Sequence, residues 1–173
     1  MQYKLFSQTV FLFLVLLSGP TYAWLHLEPL IGYNKGQEQS TTSQGIGFGA
    51  KIGLDFHNFF IVEDIDYSDL QQGSQSSVKY TNSAITFGGD FQRVRIWYGI
   101  ITSAQFTYPS GTATATTKGT GTKFGIGTEL GSKVNLNLEL RSINYTTNDP
   151  GTGVVAAITE VGTFGFLSLS WIL

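Results

Sequence analysis

The 173-residue sequence carries a formal net charge of -2, only 13% charged residues and no cysteine. That balance gives no electrostatic basis for nucleic-acid binding, and the missing thiols exclude disulfide staples, thiolate metal sites, cysteine nucleophiles and a lipidated N-terminal cysteine. With 21 glycines and 14% aromatic residues, the composition suits strands, tight turns and a surface that need not be wet everywhere, all within one domain.

The chain opens with Lys4, then an apolar run from Val10 to Leu17, then Ser18-Gly19-Pro20-Thr21-Tyr22-Ala23. This is the layout of a secretory signal, so residues 1–23 are read as a signal peptide cleaved after Ala23. The apolar run is well short of the ~20 residues with which a helix crosses a bilayer, and no later segment is longer. Residues 24–173 must meet any membrane with strands.

From Trp24 onward hydrophobicity alternates with period two, as it does in strands whose faces differ. Strands are predicted near Leu25–Tyr33, Gly45–Phe56, Phe59–Tyr67, Val78–Gly89, Val94–Phe106, Lys123–Leu130, Val134–Tyr145 and Ile158–Ile172. The second sets Ile46, Phe48, Ala50, Ile52, Leu54 and Phe56 against glycines, Lys51 and Asp55. The seventh sets Val134, Leu136, Leu138 and Leu140 against Asn135, Asn137, Glu139 and Arg141. Strands of about nine residues or more span a hydrocarbon core when tilted.

The connections alternate in kind. Polar segments Asn34–Gln44, Ser68–Ser77, Thr107–Thr122 and Thr146–Ala157 follow the odd strands and are read as long, mobile loops, although Thr112–Thr117 also suits strand. The short connections His57-Asn58, Asp90–Arg93 and Gly131–Lys133 follow the even ones. The fold class is therefore all-β: an eight-stranded antiparallel up-and-down transmembrane barrel with long loops at one end and short turns at the other.

Charge placement tests this reading, since Lys or Arg on a lipid face near the midplane costs roughly 2 to 4 kcal/mol. Lys51, Arg95, Lys123, Glu129, Glu139, Arg141 and Glu160 fall opposite the apolar rows and form a candidate interior charge network, with Glu28 and Asp55 on the same face. Buried ions need partners, so the four cations are expected to pair with Glu129, Glu139, Glu160 and nearby Asp residues. Strand three conflicts in either register, exposing Glu63 or else Asp64 and Asp66, and a β-bulge near Glu63 is the expected remedy. Tyr33, Tyr67, Tyr108 and Tyr145 at one end, with Phe56, Phe59, Phe91 and Trp171 at the other, are candidate interfacial girdles.

In this organisation residues 24–173 resemble the small eight-stranded outer-membrane barrels, the class that includes the OmpA transmembrane domain, OmpX and OmpW. The last strand adds to the likeness: Leu167, Leu169, Trp171 and Leu173 alternate to the chain end, as in the C-terminal signal read by the barrel-assembly machinery, though that signal usually ends in Phe or Trp. The resemblance implies a Gram-negative outer membrane, contact with outer-membrane lipid and lipopolysaccharide, both termini in the periplasm, and a structural or surface-interaction role through the loops.

Other readings are weaker. Gly45-Ile46-Gly47-Phe48-Gly49-Ala50 fits a dinucleotide fingerprint in form, but it begins a strand with no helix after it. His26 and His57 lack a second ligand at metal spacing, so neither metal nor cofactor is called for. A lipid A-modifying enzyme would set His and Ser two apart on one strand face; here Glu28 follows His26 and Phe59 follows His57 at that distance. A narrow gated pore is the main alternative within the same fold. A soluble barrel for a lipophilic ligand would show the opposite polarity, apolar within and charged without.

Overall fold

The computed structural model describes residues 23–38, 41–73, 75–110, 113–131, 133–151 and 155–173, so the expectation of a signal peptide over residues 1–23 falls almost wholly outside the described residues. Eight strands follow one another: β1 (Trp24–Glu38), β2 (Thr41–Phe56), β3 (Phe59–Gln72), β4 (Gln75–Phe91), β5 (Val94–Ser110), β6 (Ala113–Glu129), β7 (Val134–Asp149) and β8 (Ala156–Trp171). Each pairs antiparallel with its neighbour in sequence, and β8 closes on β1.

Register fixes the shape of the barrel. The pairs Leu27 to Ile52, Glu63, Ile85, Ile100, Thr122, Ser142 and Thr163 run once round the wall and return to β1 at Gln37, ten residues along. A stagger of that size means strands tilted by about 40° and an interior just wide enough for side chains. The turns at His57-Asn58 and Gln92-Arg93 are two-residue hairpins, and His57 and Gln92 take the left-handed φ of 61° that such turns favour.

Polarity is inside out. Ile46, Phe48, Ile52, Ile85, Phe87, Phe124, Leu138, Leu140 and Leu167 are exposed on the outer wall, whereas Lys51, Arg95, Lys123, Glu139 and Arg141 are buried within. This is the opposite of a lipocalin-like barrel. Phe56, Phe59, Phe91, Trp24 and Trp171 ring the short-turn end, and Tyr33 and Tyr67 top the apolar belt. The other two predicted girdle tyrosines belong elsewhere: Tyr145 is fully buried inside, and Tyr108 packs against the same interior cluster, because both lie on inward-facing positions beyond the belt.

Two further expectations need correction. The polar segments read as long loops are mostly strand: β1 runs to Glu38 and β2 starts at Thr41, β3 runs to Gln72 and β4 starts at Gln75, and β5 and β6 meet across residues 111–112. Ser, Thr and Gln on the outer face resemble loop residues, but β-branched Thr pairs well and the inward positions stay apolar at Leu70, Val78, Tyr80 and Phe106. Strand three carries no bulge at Glu63; its pairing is unbroken from Phe59 to Leu70, Asp64 and Asp66 face inward, and Glu63 faces outward. Bulges occur higher up instead, one where Thr102 and Ser103 both turn outward and shift the inward series from Trp97, Gly99, Ile101 to Ala104, Phe106.

Candidate functional site: the interior ion ladder and the strand-built rim

Ions climb the interior from the short-turn end. At the lower mouth Arg95 makes a forked contact with Asp90, Nε to Oδ1 at 2.6 Å and Nη2 to Oδ2 at 3.0 Å, and its Nη1 reaches Glu28 at 2.5 Å. Glu28 also contacts His26 at 2.9 Å, accepts from the Ser170 hydroxyl and faces Lys51 at 3.9 Å. The far ring nitrogen of His26 meets Asp55 at 3.0 Å. Strand alternation puts His26 and Glu28 on one face, and β2 delivers Lys51 opposite Glu28 and Asp55 diagonally across from His26, two residues past its partner Gly53.

Higher up, Glu139 is the hub. Its carboxylate accepts from Trp97 Nε1 at 2.9 Å and Arg141 Nε at 2.6 Å, and lies 3.2 Å from Lys123. Lys123 also pairs with Asp64, and Arg141 with Asp66 at 2.9 Å, where Asn82 donates at 2.9 Å as well. The two tiers meet through Trp97, over whose ring the Lys51 ammonium sits at 4.2 Å. The indole lies so close to β6 that a Cβ on Gly125 would collide with it, which is why a residue without a side chain stands there.

Four buried cations, Lys51, Arg95, Lys123 and Arg141, thus face four buried carboxylates, Glu28, Asp64, Asp66 and Glu139. Charge balance and multiple hydrogen bonds are what make burial of ions tolerable, because a lone one carries a desolvation penalty of several kcal/mol. Above the ladder the interior turns apolar: Leu70, Val78, Tyr80, Ile101, Phe106, Ile143, Tyr145 and Phe164 form one buried cluster. Its rings pack across the bore, Tyr80 lying tilted 4.9 Å from Phe106 and stacked 5.7 Å from Phe164. Among the described residues, ions fill the lower part of the interior and packed rings the part above.

The sequence-derived site residues are placed unequally. Lys51, Arg95, Lys123, Glu139 and Arg141 are brought together in the ladder. Glu129 is not: β6 ends there, and its side chain is exposed beside the turn. Glu160 has the inward parity but lies above the aromatic cluster, half-buried at the opposite mouth. Neither forms an ion pair among the described residues. The carboxylates that take their place are Glu28, Asp64 and Asp66, and His26 joins them. Asp64 stands directly opposite Lys51 across β2 and β3, a signal available only once the register is known.

The strands continue past the apolar belt into a collar with polar outward residues, among them Lys35, Gln37, Gln44, Asp69, Lys79, Thr81, Lys118, Thr120 and Asn144. At its mouth a hollow of about 290 Å³ is lined by Thr41, Gln72, Tyr108, Ala115, Thr117, Asn148 and Glu160. A second, shallow groove of about 640 Å³ crosses the outer wall at the top of the belt, where Gly165 leaves space beside Leu140, Phe124 and Lys35.

No protein-family model matches the sequence, and a search of curated proteins finds no relative. Solved structures do match. Neisserial surface protein A (NspA) superposes with a TM-score of 0.59 at 12% identity over 87% of this chain and 99% of that one. Ail, the attachment invasion locus protein of Yersinia pestis, in complex with the heparin analogue sucrose octasulfate, gives 0.56 at 7% identity over 86% and 99%. The outer membrane protein OprG from Pseudomonas aeruginosa gives 0.51 at 7% identity over 88% and 98%. At such identities the likeness speaks for architecture, and the architecture is that of the small eight-stranded outer-membrane barrels.

Proposed function

We propose that this chain is exported by its N-terminal signal and works as a non-enzymatic outer-membrane barrel, bracing the envelope and meeting surface ligands through a rigid rim. The observation that carries this is the pairing of an apolar outer belt with strands that rise beyond it into a polar collar, over an interior closed by ions and rings. Such a wall presents its outermost groups with little conformational freedom to lose on binding. The crystallisation of Ail with a heparin analogue supports the surface-ligand part of the reading.

Lipid contacts follow from the same layout. Lys35, Lys79 and Lys118 point outward in the collar, above the acyl level, where cations attract the phosphates of lipopolysaccharide. The groove at Gly165 accepts hydrocarbon against Leu140 and Phe124 with Lys35 at its upper edge. The terminal row Leu167, Leu169, Trp171 and Leu173 is the segment offered to the barrel-assembly machinery.

Planar-bilayer recording tests the closed interior. The wild-type barrel and Arg141→Ala are both expected to show no resolvable channel, because Tyr80, Phe106 and Phe164 still fill the bore above the ladder. Discrete openings in the wild type would replace this reading with a narrow pore.

A further inference from the structure

Glu63 is out of place. On β3 the outward row reads Phe59, Ile61, Glu63, Ile65, Tyr67, and the carboxylate stands at its centre. Four residues separate it from either end, roughly 10 Å along the barrel axis for a tilted strand. A glutamate side chain is too short to reach a headgroup at either interface from there, and the side chains around it, Ile52, Ile61, Ile65 and Ile85, offer only hydrocarbon.

A second polar group stands at the same depth. Tyr98 on β5 is in register with Phe87, and Phe87 with Ile61. The stagger of ten residues round eight strands raises each successive strand, so two strands on from β3 the gain is about two and a half residues. Tyr98 is therefore level with Glu63. Both point outward, with β4 between them presenting Ile85 and Phe87. Near that height the other strands turn only hydrocarbon outward, at Pro29, Ala50, Ile126, Leu138 and Leu169.

We propose that the β3–β4–β5 wall is a two-fold interface between two copies of this chain in the membrane, in which Glu63 of each copy accepts a hydrogen bond from Tyr98 of the other. Copies inserted in one orientation are related by an axis along the membrane normal, and such an axis brings together residues of equal height. With the axis over β4, the β3 side of one barrel faces the β5 side of the other. An acceptor at Glu63 and a donor at Tyr98 then meet twice, while Ile85 and Phe87 pack against their own counterparts at the centre. The walls curve apart away from the axis, and the longer side chains stand where the gap widens. In hydrocarbon an unmet carboxyl is costly, so the contact gains from the absence of competing water.

This rests on the membrane reading above. Because the chain has no cysteine, Ile85→Cys carries one thiol at the centre of the interface, and Leu138→Cys carries one on a different wall as the control. Outer membranes containing each variant are treated with a short thiol-to-thiol crosslinker and analysed in denaturing gels. A covalent dimer is expected from Ile85→Cys at least fivefold above Leu138→Cys. Adding Glu63→Leu or Tyr98→Phe is expected to lower it at least threefold, with the heat-modifiable migration of a folded barrel retained. A dimer no stronger than the control, one unchanged by Glu63→Leu, or a crosslink only to a different protein would overturn the interface alone. Failure of the chain to fractionate with the outer membrane would overturn the membrane reading and the interface with it.

Discussion

Glu139→Ala is expected to destabilise the folded barrel by about 3 to 5 kcal/mol, measured by reversible denaturant unfolding in lipid vesicles. The carboxylate is buried and holds Lys123, Arg141 and the Trp97 indole together, so its removal leaves the indole without its acceptor and two buried cations each with a single carboxylate, Asp64 for Lys123 and Asp66 for Arg141. Glu139→Gln keeps an acceptor for Trp97 but loses the charge, and is expected to fall between the two. Glu129→Ala is expected to change stability by no more than about 0.5 kcal/mol, because its side chain is solvated beside a turn. Equal effects at Glu139 and Glu129 would mean that the ladder does not hold the barrel together.

The second large effect belongs to the outer wall. Leu138→Arg puts a guanidinium on the lipid face at mid-height and is expected to cost about 2 to 4 kcal/mol, whereas Ser142→Arg, two periods of alternation higher at the collar, is expected to cost about 0 to 1 kcal/mol. Both positions are exposed and face outward on β7, four residues apart, so side-chain packing differs little between them. Only depth in a bilayer separates the two substitutions. In a soluble barrel both would be near-neutral surface changes.

The lower half of the barrel was legible in sequence because two demands coincide there. Hydrocarbon outside and ions or glycine inside give rows such as Phe124, Ile126 against Lys123, Gly125, and these mark β6 and β7 to within a residue or two at their short-turn ends. Above the belt the outside becomes polar and the contrast fades. The inner row at Ser68, Leu70 and at Val78, Tyr80 still alternates, but beside Gln71-Gln72-Gly73 it reads as punctuation in a loop.

The ladder was readable in its cations and less so in its anions. Lys51, Arg95, Lys123 and Arg141 lie in rows with one obvious parity, whereas Asp64 and Asp66 share a strand with Glu63 and leave its parity ambiguous. Closure of the sheet resolves it: pairing β3 between β2 and β4 puts Asp64 and Asp66 on the cation side and leaves Glu63 facing outward. Glu160 has the right parity and the wrong height, and height depends on the stagger of the whole barrel, which no single strand reveals.

Spin labels report the polarity of the wall directly. With nitroxides attached at Leu138→Cys and, separately, Asn144→Cys in vesicles, collision with oxygen is expected to dominate at the first site and collision with a water-soluble nickel chelate at the second. A label at residue 138 that meets the chelate as freely as one at residue 144 would contradict a barrel whose belt lies in lipid.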